Sequence, residues 1–515
     1  MLQSGSLMSK PIKLKTALLS VYSKDRLENL AHFLEKNNIS IISTGGTFDF
    51  LSGKGIKATS IESLTTYPSI LGGRVKTLHP KIFGGILWRR DHLSDEEELK
   101  KFEIPSIDLV VVDLYPFEKT VATTNDESEI IEKIDIGGIT LIRAAAKNFK
   151  HVLVVPSIDH YDKLIGLLTE KNGFTDLEDR KYFAAQAFNI SSHYDTEIFN
   201  YFNKEENITV FKQSIQKNTP LRYGENPHQD ARFFGELGKI FTQLHGKELS
   251  YNNLVDVDAA MNLIVEFSEP AVAIIKHTNP CGISTRSSLK DAYIDALACD
   301  PVSAYGGIII ANGNIDQDTA EAINKLFFEI IIADGYDEDA IILLKSKKNR
   351  IILQKNSFTY PDRQFKSILN GVLEQKKDLK TELKQDFQYI TNKRPSPSEI
   401  TELIFANKVV KHLKSNTIAL VKNQQLIGCG MGQTSRVDAL KQAIIKATSF
   451  GFDTKNAVLA SDAFFPFSDC VKIAHEAGIT AIIQPGGSIR DIDSINYCNE
   501  NDISMIFTGI RHFKH

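Results

Sequence analysis

Short apolar runs alternate with amphipathic patterns along the first two hundred residues of the chain. The runs "TALLSVY", "ISIIST", "IDLVVVDLYPF" and "HVLVVP" are rich in branched residues, and patterns such as "RLENLAHFLEKN" separate them. Strand-length apolar runs that alternate with helical periodicity are typical of parallel strands joined by crossover helices. The pattern therefore predicts one α/β domain, which ends in the polar stretch "NKEENITVFKQSIQKNTP" at 203–220.

Beyond this stretch, an order of strand, turn, helix, strand, helix, strand occurs twice. The first copy reads "AVAIIKH", "LKDAYIDALA", "GGIIIAN", "TAEAINKLFF" and "EIIIAD"; the second reads "TIALVKN", "VDALKQAIIKA", "NAVLASDAFF", "CVKIAHEAG" and "TAIIQPGG". The repeated pattern predicts a duplicated α/β unit. Between the copies, the charged segment "LEQKKDLKTELKQDFQYITNKRPSPSE" is predicted to be a solvated connector.

Composition narrows the classes of protein that fit. A chain of 515 residues that is 42% hydrophobic can bury several cores, and its net charge of −4 gives no basic surplus for binding nucleic acid. Five cysteines without CxxC spacing disfavour a disulfide framework and fit a reducing cytoplasm. No apolar stretch reaches the roughly 18 residues of a membrane span, so we expect no membrane partner.

A glycine loop follows the second predicted strand. The strand ends at Ser43 and runs into Thr44, Gly45, Gly46 and Thr47, before a helical pattern. Backbone N–H groups of such a loop converge on an anion, and the helix N-terminus adds a partial positive charge. The loop is either a phosphate site or an ordinary strand-to-helix turn, since neither GxGxxG nor GK[ST] is present.

Two further segments favour the phosphate interpretation. "LGGRVKTLHPKIFGGIL" at 71–87 sets Arg74, Lys76, Thr77 and His79 between paired glycines, which suits a phosphorylated substrate. A second set of side chains that can move protons lies at predicted strand or helix ends: Tyr115 in "YPF", and Asp135, Gly137, Gly138 and Lys147 in "IDIGGITLIRAAAKN". Singly, Asp135 could be a helix cap and Lys147 a solvated lysine; together, at strand ends, they indicate a site.

The motif "IKHTNPCGIS" ends a buried strand with Lys276 and His277. Adjacent strand residues point to opposite faces, so the two share a pocket only if the strand breaks, and Pro280 and Gly282 predict that it does. His277 could then act as a general base and Lys276 as a cation for developing negative charge. The motif lacks the glutamate and second cysteine of a zinc deaminase, so we expect no catalytic zinc.

Taken together, the motifs "GGRVKTLHP", "NPHQ", "NPCG", "DAFFPF" and the terminal "RHFKH" occur in an order that resembles the bifunctional purine-biosynthesis family of AICAR transformylase joined to IMP cyclohydrolase. The resemblance runs from about residue 15 to His515. It implies an N-terminal extension (1–14), a methylglyoxal-synthase-like parallel-sheet domain (15–210) and a transformylase region (211–515) of two cytidine-deaminase-like repeats, at about 211–372 and 400–515.

The family's first reaction moves a formyl group from the co-substrate 10-formyltetrahydrofolate to the amine of AICAR, giving FAICAR. By motif match, His277 would assist deprotonation of the amine and Lys276 would stabilise the oxyanion. The nucleotide would be held by Arg222, Tyr223, Asn253, Asn416 and Arg511, and the folate side would be lined by Ser435, Arg436, Pro466, Phe467 and Asp469. The aromatic rings of "SDAFFPFSD" could stack on a flat heterocycle or could be core.

The second reaction closes the ring of FAICAR with loss of water to give IMP, and the resemblance implies no metal or cofactor for it. Ser20, Lys24, the loop Ser43–Thr47, Arg74, Thr77, Gly137 and Gly138 would bind the substrate, while Lys76, Tyr115, Asp135 and Lys147 would serve catalysis. Two departures from the family pattern affect this site. Asp113 stands where "NLYPF" is more usual, and Tyr22 and Ser23 fill a variable loop.

Two other functions remain open at this point: a nucleotide-binding regulator on the same folds, and a dinucleotide-dependent redox enzyme, which the missing GxGxxG disfavours. The transformylase residues are spread over both repeats, from Arg222 to Arg511. We therefore expect a homodimer in which the repeats of two chains share each transformylase site.

Overall fold

The computed structural model describes residues 10–515 and divides into two compact units, one ending at Gln216 and the other spanning Lys217–His515. Most of the predicted N-terminal extension, residues 1–9, lies outside the described residues, and Ile12–Lys13 already form a strand. Among the residues described, no helix combines the length and the apolar character that crossing a bilayer requires.

Seven strands and ten α-helices make up the described part of the first unit. The strands are β1 (Ile12–Lys13), β2 (Thr16–Val21), β3 (Ser40–Ser43), β4 (Ala58–Ser60), β5 (Leu109–Asp113), β6 (Leu153–Val155) and β7 (Phe174–Thr175). The helices are α1 (Leu27–Lys36), α2 (Gly45–Gly53), α3 (Ile61–Thr65), α4 (Pro80–Leu87), α5 (Leu93–Lys101), α6 (Phe117–Thr123), α7 (Glu127–Ile131), α8 (Gly137–Lys147), α9 (Tyr161–Glu170) and α10 (Leu177–Phe202).

A five-stranded parallel sheet in the order β4-β3-β2-β5-β6 forms the centre of this unit, as the alternating pattern predicted. Leu109 to Val112 of β5 are all fully buried, which explains their continuous apolar run. Helix α1 buries Leu27, Leu30, Ala31 and Leu34, at the spacing of one helical face. Since β2, β3 and β5 are parallel neighbours, their carboxyl ends meet at one edge of the sheet.

The second unit contains eighteen strands and nine α-helices among the described residues. The strands are β8 (Asn218–Leu221), β9 (Ala231–Phe234), β10 (Phe241–His245), β11 (Ala271–Lys276), β12 (Asn279–Thr285), β13 (Ile308–Ala311), β14 (Asn314–Ile315), β15 (Ile330–Ala333), β16 (Gly335–Tyr336), β17 (Ile351–Lys355), β18 (Arg363–Ile368), β19 (Gly371–Lys376), β20 (Gln388–Tyr389), β21 (Ile418–Lys422), β22 (Gln425–Gly430), β23 (Val458–Ser461), β24 (Ala481–Gln484) and β25 (Ser504–Phe507). The helices are α11 (Leu237–Ile240), α12 (Tyr251–Ile264), α13 (Leu289–Ala298), α14 (Gln317–Ile323), α15 (Glu338–Leu344), α16 (Pro397–Val410), α17 (Arg436–Ser449), α18 (Asp469–Glu476) and α19 (Asp491–Glu500).

One twelve-stranded mixed sheet, in the order β10-β17-β15-β13-β11-β12-β22-β21-β23-β24-β25-β20, joins both copies of the repeated pattern. Each copy begins with an antiparallel hairpin, β11–β12 or β21–β22, and continues into parallel strands on the far side of the hairpin's first strand. The copies meet where β12 pairs with β22. This topology confirms the predicted duplication of an α/β unit.

The sequence pattern missed the second strand of each hairpin, β12 and β22. Both strands carry glycines because helices pack directly on them: a Cβ at Gly282 would overlap the carbonyl oxygen of Ala296, and one at Gly430 would overlap that of Ala439. Pro280 is tolerated because β12 pairs with β22 only at Ser284, so no ladder bond to β22 is lost at Pro280. Pro280 and Gly282 therefore lie within a strand rather than in the turn expected there.

The predicted solvated connector is largely exposed, but some of its side chains are buried within the second unit. Glu382 is 2% exposed and Phe387 is 7% exposed, and β20 pairs with β25 at the edge of the large sheet. The expectation of a solvated segment fails at Glu382 because its carboxylate is paired inside the protein: it accepts hydrogen bonds from Asn407 (2.7 Å) and from the His512 ring (3.0 Å). A high charge content cannot by itself distinguish such buried pairs from a solvated surface.

Candidate functional sites

In the first unit, the glycine loop forms an anion cradle at the carboxyl edge of the parallel sheet. Thr44 precedes α2 and donates a hydrogen bond to the Ser20 hydroxyl at the end of β2 (3.1 Å). Thr47 donates to the Val21 carbonyl (3.0 Å), and Ser43 donates to the Leu19 carbonyl (3.1 Å). These bonds tie the loop to the adjacent strand, at the N-terminus of a nine-residue helix that favours an anion.

Two lysines bring positive charge to this cradle. A Cβ at Gly45 would lie 3.3 Å from the Lys76 ammonium, which therefore covers the loop directly. Lys24 donates to the Val21 carbonyl (2.6 Å) and the Thr47 hydroxyl (3.3 Å). Burial lowers the pKa of Lys24; the charge of Asp113 opposes this shift and the charge of Lys76 adds to it. An incoming phosphate would relieve the repulsion between the two ammonium groups.

Asp135 lies buried beside the cradle and binds the first turn of α8. Its Oδ1 accepts the Gly138 N–H (2.6 Å), and a Cβ at Gly138 would overlap the carboxylate, so glycine is required there. Burial raises the pKa of Asp135, against the opposing effects of backbone hydrogen bonds from Gly138 and Tyr115 and the charge of Lys76. A buried carboxyl group with a raised pKa next to a lysine is a candidate for proton exchange with a substrate.

The loop that carries Asp135 is held by Tyr194 from the distant helix α10. The Tyr194 hydroxyl accepts the backbone N–H of Asp135 (2.9 Å) and donates to the carbonyl of Lys133 (2.5 Å). Tyr194 is 7% exposed and packs edge-on against Phe117 (6.1 Å). Sequence reasoning missed this residue because it lies 59 positions from Asp135 on a helix without any motif.

Aromatic rings form the rim of this site. Tyr115 and Tyr22 meet edge to face at 5.4 Å, and the Lys133 ammonium lies 6.0 Å and 5.8 Å from their respective ring centres. Burial, followed by the charge of Asp135, raises the pKa of Tyr115. Tyr22, noted above only as a departure from the family pattern, therefore belongs to the same rim as Tyr115.

The second departure, Asp113, closes the loop of Tyr22 and Ser23. Its Oδ2 accepts the Ser23 N–H (2.8 Å), and its carbonyl accepts the Tyr22 N–H (3.2 Å). Burial raises the pKa of Asp113, although the Ser23 hydrogen bond and the charge of Lys24 lower it. The Asp113 carboxylate is thus used to bind the backbone of the Tyr22–Ser23 loop, next to the anion cradle.

Two further predicted residues of this site have exposed side chains. Arg74 is exposed and pairs with Glu132. Lys147 is exposed in the last turn of α8, whereas Gly137, whose Cβ would lie 2.8 Å from the Thr77 hydroxyl, begins that helix. Ten helical rises separate the two positions by about 15 Å. Within this chain, the cradle is therefore formed without Lys147.

In the second unit, Lys276 and His277 lie at the tip of the β11–β12 hairpin. Lys276 pairs with Asn279, so His277 and Thr278 are the two central residues of the turn, with φ of 53° and 63°. Positive φ at both positions is the geometry for which Asn-Gly is preferred. The strand thus ends one residue earlier than the motif suggested, and a strained turn rather than Pro280 and Gly282 reorients the pair.

Neighbouring loops hold both residues of the pair. The Lys276 ammonium donates to the carbonyl of Tyr305 (2.8 Å), within the segment "DPVSAYGG". Asn279 donates to the His277 carbonyl (2.8 Å) and accepts from the Lys414 N–H (3.4 Å). The first of these bonds leaves two N–H groups of the Lys276 ammonium for other partners.

Lys414 begins a chain of contacts into the second repeat. Arg436 donates to the Asn416 side chain (2.7 Å) and pairs with Asp462, and Ser415 donates to Asp462 (2.5 Å). Arg436 is 7% exposed and Asp462 is fully buried, so the guanidinium is engaged inside the protein. These contacts connect the "KH" hairpin of the first repeat to "SDAFFPF" of the second within a single chain.

The remaining predicted residues of the second unit lie at helix starts or on the surface. Asn253 caps α12 at its Ser250 end and donates to Glu329 (3.1 Å), while Arg222 stacks over the ring of Tyr223 at 4.7 Å. Ser435 caps α17. Exposed residues complete the set: Pro466, Phe467 under the Arg490 guanidinium (5.1 Å), Asp469 at the start of α18, and Arg511 over Phe513 (4.2 Å).

The terminal segment that carries Arg511 is held by His512. Its ring lies 2.6 Å from Asp378 and 3.0 Å from Glu382, and its backbone N–H donates to Asp462 (3.0 Å). The two carboxylates raise the pKa of His512 to about 9, against the opposing effect of burial. Among residues 10–515, no group of three or more histidine, cysteine or acidic side chains is arranged to hold a metal ion.

Comparisons with known proteins identify the family of this chain. The family model described as "AICARFT/IMPCHase bienzyme" matches residues 145–446, and that of the "MGS-like domain" matches residues 26–140. A curated relative from Bacteroides thetaiotaomicron, called "Bifunctional purine biosynthesis protein PurH", is 55% identical over 508 residues, which cover 99% of this chain and all of the relative.

Relatives with the same name from Caldicellulosiruptor saccharolyticus and Aquifex aeolicus are 47% and 46% identical, each over 97% of this chain and all of the relative. A solved structure titled "Crystal structure of ForH" is 36% identical and covers 37% of this chain and 99% of its own, with a TM-score of 0.33.

Proposed function

Because this chain belongs to the AICARFT/IMPCHase bienzyme family, and is thus both a formyltransferase and an IMP cyclohydrolase of purine biosynthesis, we propose how its two units divide the work. The first unit cyclises FAICAR at the cradle of Lys24, Lys76 and Asp135. The second unit transfers the formyl group at the hairpin of Lys276 and His277. The observation that supports this division is that Lys24, Lys76 and Asp135 lie close to one another in the first unit, whereas Lys276 and His277 lie in the second.

For formyl transfer, the folate co-substrate is 10-formyltetrahydrofolate. The AICAR amine attacks its formyl carbon, a tetrahedral adduct forms, and the bond from that carbon to N10 of the folate breaks. His277 removes the proton that the amine nitrogen loses, and N10 gains one, so protons balance. Lys276 has N–H groups beyond its bond to Tyr305 to stabilise the oxyanion of the adduct.

The partners of this reaction lie around the hairpin. Asn416, whose oxygen is fixed by Arg436, and the exposed Arg511 bind the nucleotide together with Arg222, Tyr223 and Asn253. Phe467 with Pro466, Ser435 and Asp469 form the folate side, and Arg436 supports it from the interior. Neither half-reaction requires a metal ion in this scheme, because lysine and histidine supply the charge and the proton transfer.

For cyclisation, the carboxamide nitrogen of FAICAR attacks its own formyl carbon, and the formyl oxygen leaves as water. The phosphate lies in the cradle of Ser20, Thr44–Thr47 and Lys24, with Arg74, Thr77, Gly137 and Gly138 around the substrate. Asp135 and Tyr115 exchange the protons, and Lys76 stabilises the oxygen that becomes anionic. Lys147 stays a predicted catalytic residue that this chain alone does not bring to the cradle.

Purified protein supplied with AICAR and 10-formyltetrahydrofolate tests the assignment directly. We expect IMP to form with the absorbance change of ring closure, with and without exhaustive chelation of metal ions. A protein that binds both compounds and forms neither FAICAR nor IMP would instead be the regulator considered above. Loss of activity on chelation, restored by a stoichiometric metal, would contradict the metal-free scheme.

The protein is further proposed to be a cytoplasmic homodimer with shared transformylase sites. The hairpin β18–β19 supports assembly: it is a two-stranded sheet of its own, and it exposes Leu369 (98%), Leu373 (60%) and Val372 (42%). An isolated hairpin is marginally stable in water, and clustered exposed apolar residues favour an interface. A second copy of this chain is the occupant that a symmetric assembly supplies.

Co-expression of two differently tagged chains tests the sharing of sites. One chain carries Lys276→Ala, the other carries Phe467→Ala, and each parent alone is inactive in formyl transfer. Recovery of activity in the doubly tagged species would support shared sites. Light scattering that shows a fully active monomer at high dilution would rule them out, and inactive hybrids for every such pair would place both residues in the site of one chain.

A further inference from the structure

Asp256 lies next to the strained turn that presents His277. The turn places two consecutive side-chain-bearing residues at positive φ, 53° for His277 and 63° for Thr278, and threonine is β-branched. Residues without a Cβ, or asparagine, are preferred at such positions, so the surrounding structure must stabilise this conformation. Strain that persists at a functional site requires an identifiable contact that holds it.

The contact comes from helix α12. The Thr278 N–H donates to Asp256 Oδ1 at 2.7 Å, and the carboxylate also accepts a backbone hydrogen bond from His277. Asp256 is partly buried, and Asn253, three residues earlier on the same face of α12, takes part in the capping box that fixes the start of this helix. The carboxylate therefore has a fixed position from which to hold the turn.

We propose that Asp256 is a positioning residue for formyl transfer: it binds the backbone of the His277–Thr278 turn and so fixes where the imidazole meets the substrate amine. The inference rests on the role proposed above for His277. Asp256 itself accepts no proton from the substrate and touches neither AICAR nor the folate in this scheme. Its effect is exerted through the turn, in a way that sequence spacing alone did not reveal.

The number of acceptor oxygens at position 256 sets the expected order of activity among the variants. Two oxygens can accept both backbone N–H groups of the turn, whereas an asparagine offers one acceptor oxygen and its amide group repels the second donor. Alanine offers none. We therefore expect activity to fall from aspartate to asparagine to alanine, with the total loss in the alanine variant near the roughly 100-fold that a misplacement of about 1 Å can cost in rate.

The experiment compares Asp256→Asn, Asp256→Ala, His277→Ala and a control, Asp258→Asn, which removes an exposed carboxylate from the same helix. Formyl transfer and cyclisation of supplied FAICAR are measured on each full-length protein. For formyl transfer, we expect kcat to fall about 10-fold in Asp256→Asn and about 100-fold in Asp256→Ala, with KM for AICAR within about 2-fold. Cyclisation, and both activities of Asp258→Asn, should stay at the wild-type level.

The outcomes separate this inference from the proposed function. If His277→Ala keeps formyl transfer, the role of His277 itself is wrong. If His277→Ala is inactive but Asp256→Ala keeps its kcat, only the positioning role is overturned. Should Asp256→Ala also lose cyclisation through misfolding, Asp256→Asn decides: a wild-type kcat overturns the proposal, and a reduced kcat with an unchanged KM and normal cyclisation supports it.

Discussion

The two units place their candidate catalytic residues in different kinds of structure. In the first, Ser20, Ser43 and Asp113 lie at or next to the carboxyl ends of three adjacent parallel strands, so one sheet edge gathers the site. In the second, Lys276 and His277 occupy the tip of an antiparallel hairpin whose first strand is antiparallel to both neighbours. A parallel edge collects residues by topology alone, whereas a hairpin tip needs contacts from elsewhere to fix it.

The same difference appears in how each site is supported. Tyr194 of α10 holds the backbone on both sides of the Asp135 loop, and Asp256 of α12 holds the turn of His277. In both units, a helix remote from the motif provides one polar side chain to the backbone of a catalytic loop. The supported loop of the first unit is unstrained around a capped helix, while that of the second is strained at two residues.

The largest expected effect is the loss of one activity while the other is kept. The double variant Lys276→Ala/His277→Ala should lower formyl transfer by at least about 10³-fold, because it removes both the base and the cation. Cyclisation of supplied FAICAR should stay near the wild-type rate, because Lys276 and His277 lie in the second unit and the proposed cyclisation site lies in the first. Rates of the two half-reactions on the same preparation measure this. An equal loss of both activities in a folded protein would contradict two independent sites.

The converse change addresses the first unit. Lys76→Ala should lower cyclisation by about 10²-fold to 10³-fold, because the ammonium over Gly45 no longer stabilises the phosphate or the developing negative charge. FAICAR should then accumulate while formyl transfer continues, and chromatography of the products detects it. Asp135→Asn should give the same accumulation. A variant with no accumulation and a normal rate of IMP formation would remove that residue from the site.

Much of the fold was predictable from the sequence, and the reasons are physical. Continuous buried runs such as β5, and the repeat of helices α13 and α17 after their hairpins, follow from burial and periodicity. Strands β12 and β22 were missed because their glycines reflect close helix packing that no local pattern encodes. The buried Glu382 was missed because its partner His512 lies 130 residues away.

In the candidate sites too, local sequence patterns miss contacts between residues that are distant in the sequence. Motifs predicted which loops carry chemistry, and the structure brings Lys24, Lys76, Thr77, Gly137 and Asp135 together in one place. Motifs did not predict the residues that act through the backbone, Tyr194 and Asp256, because one side chain contacting a distant main chain leaves no periodic signal. For Asp256, a weak signal existed, since it follows the capping Asn253 by three residues on one helical face.

A pH titration tests whether charged His512 stabilises the terminal segment that carries Arg511. The folded pKa of His512 is about 9, above its ordinary value of 6.5, so its charged form stabilises the folded state. That stability is fully present below about pH 6.5 and is lost as pH rises through 9, and it amounts to on the order of 3 kcal/mol. Chemical unfolding of the second unit at pH 6 and pH 9.5 measures it.

The matched variant for this titration is His512→Gln, which keeps the ring position polar but cannot become charged. Its stability should be lower at pH 6 and should depend less on pH over this range than that of the wild type. The KM for AICAR should also rise, because the segment that carries Arg511 is less well fixed next to Asp462. An unchanged pH dependence in the variant would show that other groups produce the titration.

The smallest expected effect comes from Tyr194→Phe, which can be compared with Asp256→Ala. Tyr194→Phe removes one hydroxyl but keeps the ring against Phe117, so the protein should lose about 1 kcal/mol of stability. The backbone N–H of Asp135 and the carbonyl of Lys133 then lose their shared partner, and the Asp135 loop becomes less precisely placed. We expect kcat for cyclisation to fall about 10-fold, with formyl transfer unchanged. Because the Asp135 loop is unstrained, this loss should be smaller than that caused by Asp256→Ala in the strained turn. Parallel measurement of both variants decides the point: if Tyr194→Phe cost more than Asp256→Ala, backbone strain would not be what makes a supporting residue important in this protein.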